Sequence, residues 1–550
     1  MRVKNYFKDD FSSDLKAGFI TAIVALPLAI AFAIASGVNP MMGIYTAIIA
    51  GILASIFGGS TFSITGPTGA MAIIILTTVG KFGLEGLLVA GFLAGVIQII
   101  LGVIRLGRLV KFIPLPIVSG FTAGIGAIIF IGQIPNFLGL IIPAKEHVGE
   151  TILEVIKNIG AVNLAAVLIA IGTLLILIFM PRILAKISLK AVPASMIALI
   201  LATFAAYSFS LSIPQVGHIS SSLPAFNFFN INLQLVENVL PAAFTIALLG
   251  AIEALLCAVV CDGMTGTKHK SNKELIAQGT TNIVLPFFGG MPSTAAIARS
   301  AVNIREGART RMAGVYHALI ILLIILFFAP IAQYIPKAFL AGVLMFVAIR
   351  MINFKEFKTI FKISKEEGVV LILTFSLTLF TDLVFAVQVG MMLAVFLLFL
   401  RLSKLVEFDE YTKFAPNKEL SKRLNADHSL KDVGIYTMAG PFFFGAMNVF
   451  DSKVEEHIDV KKKYLIIRMK HVPLIDSSGI ERMKSFIESR NKGGNKVFLT
   501  TLQPKVKEVI FDDEEFKKLI ADNNIFDTSE EALDFIKAKY LTNVELNIKN

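Results

Sequence analysis

With 550 residues, 55% of them apolar and only 17% charged, the chain is greasier than an ordinary globular domain. Its net charge of +11 would suit a nucleic-acid partner, but many of its Lys and Arg stand at the ends of apolar runs, where the positive-inside rule accounts for them, so no nucleic acid is expected. Cys257 and Cys261, four apart in one apolar run, supply neither a disulfide framework nor a zinc set.

The charge is divided along the chain. Residues 17–400 are mostly apolar runs, while residues 404–550 are dense in Lys, Asp and Glu. A membrane domain followed by a soluble domain is predicted. The start, MRVKNYFKDDFSSDLKAG, has no cleavable signal pattern and is expected in the cytoplasm. Apolar runs then follow at 17–37, 41–58, 68–80, 83–104, 113–134, 162–180 and 191–212. Pro27 lies inside the first run and should bend it. Between the second and third runs, Gly66 and Pro67 break the pattern. A second half repeats the rhythm at 240–262, 274–288, 293–304, 312–333, 337–352, 367–382 and 384–400. It breaks at Gly289, Gly290 and Pro292. Pro67-Thr68-Gly69-Ala70 and Pro292-Ser293-Thr294-Ala295 thus fall in the third segment of each half. Paired broken segments at corresponding positions predict an inverted repeat with a central binding site.

Lys and Arg cluster at 105–111, 182–190, 268–273, 305–311, 355–365 and 401–404. With fourteen spans these clusters share one side, apart from scattered Lys81, Lys145, Lys157 and Lys337. The connection 213–239 has no Lys or Arg and falls on the other side. Both termini are therefore expected in the cytoplasm.

Four features carry candidate chemistry. The two half-helix starts expose unpaired N–H groups and a partial positive charge, which suits an anion. Gly69 and Ala295 are small enough for the backbone to approach a ligand, and Thr68, Ser293 and Thr294 add hydroxyl donors. Small-residue helix packing is the plainer reading of one such break, but two in matching positions favour a site. Arg299 follows one to two turns into the second half-helix, where an unpaired guanidinium is costly. The opposing reading is an Arg that snorkels to the edge near Arg305. Glu253 sits deep in Gly250-Ala-Ile-Glu-Ala-Leu-Leu-Cys257, where a carboxyl group can carry a proton or can simply pack. Asp262, nine residues on, points to the opposite face and reads as a solvated helix end beside Gly263 and Gly266.

Residues 1–404 form the expected membrane domain, 405–433 a polar linker, 434–541 a soluble α/β domain and 542–550 a tail. In the soluble domain, 464–469 and 496–500 read as strands. The runs from Ile480 to Arg490 and over 529–540 read as helices. Asp476-Ser477-Ser478-Gly479 suits a helix N-cap.

DGMTGTKHKSNKELIAQG and ARSAVNIREGA resemble the most recognisable region of the SulP anion permease family, and residues 434–541 resemble the STAS domain that follows its membrane domain. The similarity covers nearly the whole chain and leans towards the subfamily of bacterial dicarboxylate permeases. It implies an all-α polytopic membrane domain of fourteen spans in a 7+7 inverted repeat. The first four spans of each repeat would form a core and the last three a gate, with a cytoplasmic α/β STAS domain attached. It implies a secondary active transporter rather than an enzyme, in the cell's inner (plasma) membrane, working by alternating access. The cargo would be sulfate, bicarbonate or a C4-dicarboxylate. No cofactor is implied beyond a coupling ion, H⁺ or Na⁺. A homodimer is implied, as is a possible protein partner for the STAS domain.

The resemblance also assigns residues. Animal members carry an Arg at the position of Arg299, near the anion site, and an aromatic at the position of Phe32, lining the pocket. They place Gln where this chain has Leu28, which makes the pocket here less polar. Cyanobacterial sodium–bicarbonate members carry Asp at the position of Glu253 and Thr at that of Cys257. A thiol is a poor ligand for a hard cation, so H⁺ at Glu253 is favoured over Na⁺, and no other metal site is expected. Ser477 and Ser478 match the regulatory serine region of soluble STAS proteins. Rival readings are a passive anion channel, a nucleobase permease, which would lack the STAS domain, and a membrane-anchored STAS signalling protein.

Overall fold

The computed structural model describes residues 6–7, 9–107, 113–143, 145, 147–186, 192–381, 383–410, 427–459, 461–520 and 524–541. The expected tail 542–550 lies outside these residues, as do 411–426 of the expected linker and Arg108, Lys111 and Lys190 of the basic clusters. The chain divides into two compact units, Met1–Met391 and Met392–Asn550.

In the first unit the apolar runs become helices, and local chemistry sets their ends. Asn39 caps Pro40–Phe57 by accepting from the Met41 N–H at 2.9 Å, and Pro40 occupies the first helical position, where its missing N–H costs nothing. Thr68 caps Gly69–Val103, and Gly83, at φ +69°, breaks that helix in two, so a half-helix 69–82 is followed by a returning segment. Asn232 caps Leu233–Thr265, starting it ahead of the apolar run that begins at 240, and Gly266 at φ +72° ends it. Among the described residues nine helices are long and apolar enough to cross a bilayer, counting Lys337–Ile363 as one although it is interrupted at Ile352 and Asn353. The remaining expected runs appear as shorter pieces, among them Ala194–Ser208, Ser271–Val284, Ile297–Arg305 and Lys365–Phe380. Large apolar side chains stand bare on the outside, such as Leu168, Phe204 and Phe327, which is a surface suited to lipid rather than water.

The helices sort into two groups. Phe11–Ala35, Pro40–Phe57, Gly69–Val103, Leu233–Thr265, Ser271–Val284, Ile297–Arg305 and Met312–Ala332 pack among themselves. Leu115–Gly132, Leu164–Lys186, Ala194–Ser208, Lys337–Met351 and Lys365–Phe380 form the second group. These are the expected core and gate. Small residues set the closeness of the core: a Cβ on Gly95 would lie 2.6 Å from the Gly279 carbonyl oxygen, and one on Gly279 would lie 2.5 Å from that of Gly95.

At the centre of the core the two broken segments meet. Strand β1, Thr65–Gly66, pairs antiparallel with strand β2, Thr294–Ala295, in the register Thr65 with Ala295 and Gly66 with Thr294.

The second unit holds a five-stranded sheet, β3 (Glu407–Glu410), β4 (Val433–Ala439), β5 (Tyr464–His471), β6 (Lys496–Thr500) and β7 (Ile525–Phe526), in that spatial order. Among the described residues of this sheet, only the β3–β4 pair is antiparallel. Thus the stretch read as linker contains a sheet strand, β3, which buries Phe408 against the ring of Tyr436 at 5.5 Å. β4 and the helix Met447–His457 also lacked a sequence expectation of their own.

Candidate functional site

The pairing of β1 with β2 brings the ends of two half-helices to one place, and the side chains around it follow from that frame. Arg299 is the third residue of Ile297–Arg305, within its first turn rather than one to two turns in. Its side chain is 1% exposed, so it does not snorkel. It crosses to the other junction, where its Nη2 donates to the Pro67 carbonyl at 2.7 Å. Its Nη1 makes no hydrogen bond and lies 2.6 Å from where a Cβ on Gly66 would stand. A buried guanidinium with an unused donor is unfavourable in an apolar interior, and an anion or water brought to that donor relieves the cost.

Thr68 is engaged by a different helix, Leu233–Thr265. Its hydroxyl donates to Glu253 Oε2 at 2.8 Å and only weakly caps its own helix, at 3.4 Å from the Met71 N–H. Glu253 is half-buried. One turn later on the same helix face, Cys257 donates to Ser300 Oγ at 3.2 Å. Ser300 Oγ also accepts from the Ile64 N–H at 2.8 Å. The helix that carries Glu253 therefore touches the first broken segment through Thr68 and the second through Ser300.

Gly69 opens the first half-helix. A Cβ there would lie 2.3 Å from Ile129 Cδ1 and 3.2 Å from Phe32 Cε1. Phe32 belongs to the core group and Ile129 to the gate group, so Gly69 lies at their boundary. Phe32 is 7% exposed and sits within the core cluster.

The other expected residues are near the junction but are engaged elsewhere. The Ser293 N–H and hydroxyl both donate to Asn282 Oδ1, at 2.9 and 3.3 Å. Thr294 donates to the Gly250 carbonyl at 2.8 Å. Both hydroxyls thus brace the second junction, where the sequence reading had them free to donate. Ala295 packs with Phe62, Ala254, Cys257 and Cys261. Asp262 is not a merely solvated helix end. It accepts from the His269 N–H at 2.9 Å and the Thr267 hydroxyl at 3.0 Å, and lies 2.7 Å from His269 Nδ1, which folds the loop back on its helix.

Sequence reasoning missed the stripe that positions the junctions. Glu274, Gln278 and Asn282 recur every four residues along Ser271–Val284 and are all buried. Glu274 Oε2 accepts from the N–H groups of Gly59 and Ser60 at 2.7 and 2.9 Å. Gln278 donates to Thr65 Oγ1 at 2.9 Å, and Asn282 donates to Gln98 Oε1 at 2.9 Å. Their four-residue spacing, which puts Glu274, Gln278 and Asn282 on one face of the helix, was the available signal.

Ser477 and Ser478 are exposed at the start of Ser477–Lys492. Asp476 caps that helix by accepting from the Gly479 N–H at 2.8 Å. The two serines border an open hollow with Met447, Glu481, Arg482 and Ser485.

Comparison with known proteins covers both units. The sulfate permease family model matches residues 11–374, and the STAS domain model matches residues 427–532. The chain is 38% identical to a putative sulfate transporter, YvdB, of Bacillus subtilis over 536 residues, covering 96% of this chain and 98% of that one. It is 33% identical over 456 residues to the bicarbonate transporter BicA of a Picosynechococcus strain, covering 78% of each. The structure of the murine Slc26a9 anion transporter in its inward-facing state matches with a TM-score of 0.84 at 20% identity, covering 97% of this chain and 92% of that one, a likeness of fold.

Proposed function

The chain belongs to the sulfate permease family, and from that membership and the meeting of its two broken segments we propose a secondary active anion transporter working by alternating access. The anion would be held between Thr68–Gly69 and the backbone of Ser293–Ala295, with Arg299 as its fixed positive charge. The observation that carries this reading is Arg299 itself: buried, bonded across the repeat to Pro67, and with Nη1 unpartnered. A positive charge in a low-dielectric, protein-lined site attracts an anion far more strongly than one in water.

The position of Gly69 between core Phe32 and gate Ile129 supports a carrier over a fixed pore, because movement of the core past the gate would carry the anion from one side to the other. The Thr68–Glu253 hydrogen bond supports proton coupling. An ionised Glu253 keeps the Thr68 hydroxyl as its donor, and protonation removes that demand, freeing the hydroxyl to turn towards an anion. Coupling would thus pass through one hydroxyl shared by carboxylate and cargo. A sodium ion at the same place would need several oxygen ligands, and Cys257 offers sulfur.

In this reading the chain crosses the membrane fourteen times with both termini in the cytoplasm, and it works as a homodimer. The cargo is sulfate, bicarbonate or a C4-dicarboxylate. Uptake of these three labelled anions into proteoliposomes, with and without a pH gradient or Na⁺, tests the proposal. Saturable uptake of one of them driven by a pH gradient is expected. Uptake of all three that neither saturates nor responds to either gradient would favour a passive channel.

A further inference from the structure

The helix Phe354–Ile363 lies between Lys337–Met351 and Lys365–Phe380 and is too short to span a bilayer. At about 100° per residue, most of its ten residues, FKEFKTIFKI, fall on three sides, with Thr359 and the exposed Ile363 on the remaining edge. One side faces the protein. Ile360 is buried there, the Phe357 ring stands 6.4 Å from that of Phe375, and Glu356 accepts from the Ser119 hydroxyl at 2.7 Å. A second line holds Phe354 and Phe361, seven residues apart, which are 71% and 41% exposed. Beside it, a third line holds Lys355, Lys358 and Lys362, all exposed.

The contacts fix the helix firmly. Asn353 caps it, Glu356 holds it to Leu115–Gly132, and Phe357 holds it to Lys365–Phe380. Both partners are gate helices. A short helix held between membrane segments, with exposed Phe354 and the outer edge of Phe361, whose ring rests against Gly368, on one line and Lys on the next, has the pattern of a helix lying in the membrane interface. The charges define the occupant. Lys355, Lys358 and Lys362 face outward together, while Glu356 is turned to the protein. They belong to the 355–365 basic cluster, which the proposed orientation puts on the cytoplasmic side, where the leaflet is anionic.

We infer that Phe354–Ile363 is an in-plane membrane helix that sinks Phe354 and Phe361 into the acyl boundary and binds anionic phospholipid headgroups through Lys355, Lys358 and Lys362. It anchors the gate at a fixed depth, giving the core a frame to move against. The inference rests on the proposed orientation but not on the anion site.

The test uses the absence of tryptophan from the chain. Phe354→Trp, Phe361→Trp and Thr359→Trp each create a single fluorescent reporter in the full-length protein. Each is reconstituted in phosphatidylcholine vesicles carrying a small, equal fraction of acyl-brominated phosphatidylglycerol or acyl-brominated phosphatidylcholine. Phe354→Trp and Phe361→Trp should show blue-shifted emission and be quenched, while Thr359→Trp, on the far edge of the lysine line, should not. Quenching by the brominated phosphatidylglycerol should exceed that by the brominated phosphatidylcholine about fivefold, because three lysines concentrate the anionic lipid. Lys355→Gln, Lys358→Gln and Lys362→Gln combined should remove that difference without removing the blue shift. Water-like, unquenched emission from both Phe variants overturns the in-plane helix. Equal quenching by the two lipids with the lysines intact overturns the headgroup site.

Discussion

The two junctions at the centre of the membrane unit share one frame and carry different chemistry. Each lends two residues to the same antiparallel pairing. The first, Thr65 to Gly69, is mostly backbone: Gly66 has no side chain to obstruct Arg299, Pro67 lends a carbonyl, and Thr68 is tied to Glu253. The second, Ser293 to Arg299, brings the charge, while its hydroxyls are engaged by Asn282 and Gly250. A repeat can thus duplicate a scaffold while its two junctions reach different partners: Thr68 of the first reaches Glu253, and Arg299 beside the second reaches back to Pro67.

The largest disturbance of that arrangement should come from Gly66→Val. A Cβ at Gly66 would stand 2.6 Å from Arg299 Nη1, so the added bulk drives the guanidinium away from Pro67. Overpacking of this kind costs about 2–3 kcal/mol, or roughly 30- to 140-fold in anion affinity. Binding isotherms on detergent-solubilised protein that still elutes as a single species check this. Unchanged affinity would mean that the two junctions do not cooperate.

Glu253→Gln should act more narrowly. Gln keeps the size and an acceptor for Thr68 but cannot carry a proton, so the pH-driven part of uptake should vanish while counterflow without a gradient continues. Uptake that still follows a pH gradient in this variant would remove the proton role from Glu253.

The smallest effects should separate the two sets of hydroxyls. Thr68→Ala deletes one hydrogen bond of about 1 kcal/mol, roughly fivefold, and should change uptake. Thr294→Ala deletes a bond of similar size to the Gly250 carbonyl, and should lower the melting temperature while leaving affinity alone. Equal effects of both on affinity would erase the distinction between the junctions.

Much of this architecture was legible in the sequence because it rests on local signals. Gly66-Pro67 and Gly289 to Pro292 mark the breaks by their effect on backbone dihedrals. Asp476 marks a cap by its place before a helical run. Arg299 and Glu253 were visible as ionisable groups at membrane depth. The direction in which those groups reach was not legible, because it depends on pairings made over more than 180 residues: Thr68 with Glu253, and Pro67 with Arg299. The bracing role of Ser293 and Thr294 was hidden for the same reason. A hydroxyl next to a half-helix reads as a free donor until Asn282 or Gly250 is seen against it. Strand β3 was missed because Glu407–Glu410 is only four residues long and mostly acidic, and its sheet partner β4 begins 23 residues after it ends.

The central claim, that Arg299 supplies the fixed charge for an anion seated where the two broken segments meet, is tested most directly by comparing a monovalent with a divalent cargo. Bicarbonate and sulfate affinities are measured in proteoliposomes for the wild type, Arg299→Ala and Arg299→Lys. Removing a full charge from a low-dielectric site should weaken the divalent anion about tenfold more than the monovalent one. Arg299→Lys should restore only part of that loss, since an ammonium cannot bond Pro67 and an anion with the same planar fork. Wild-type affinity for both anions in Arg299→Ala would contradict the account and move the anion site away from the junctions.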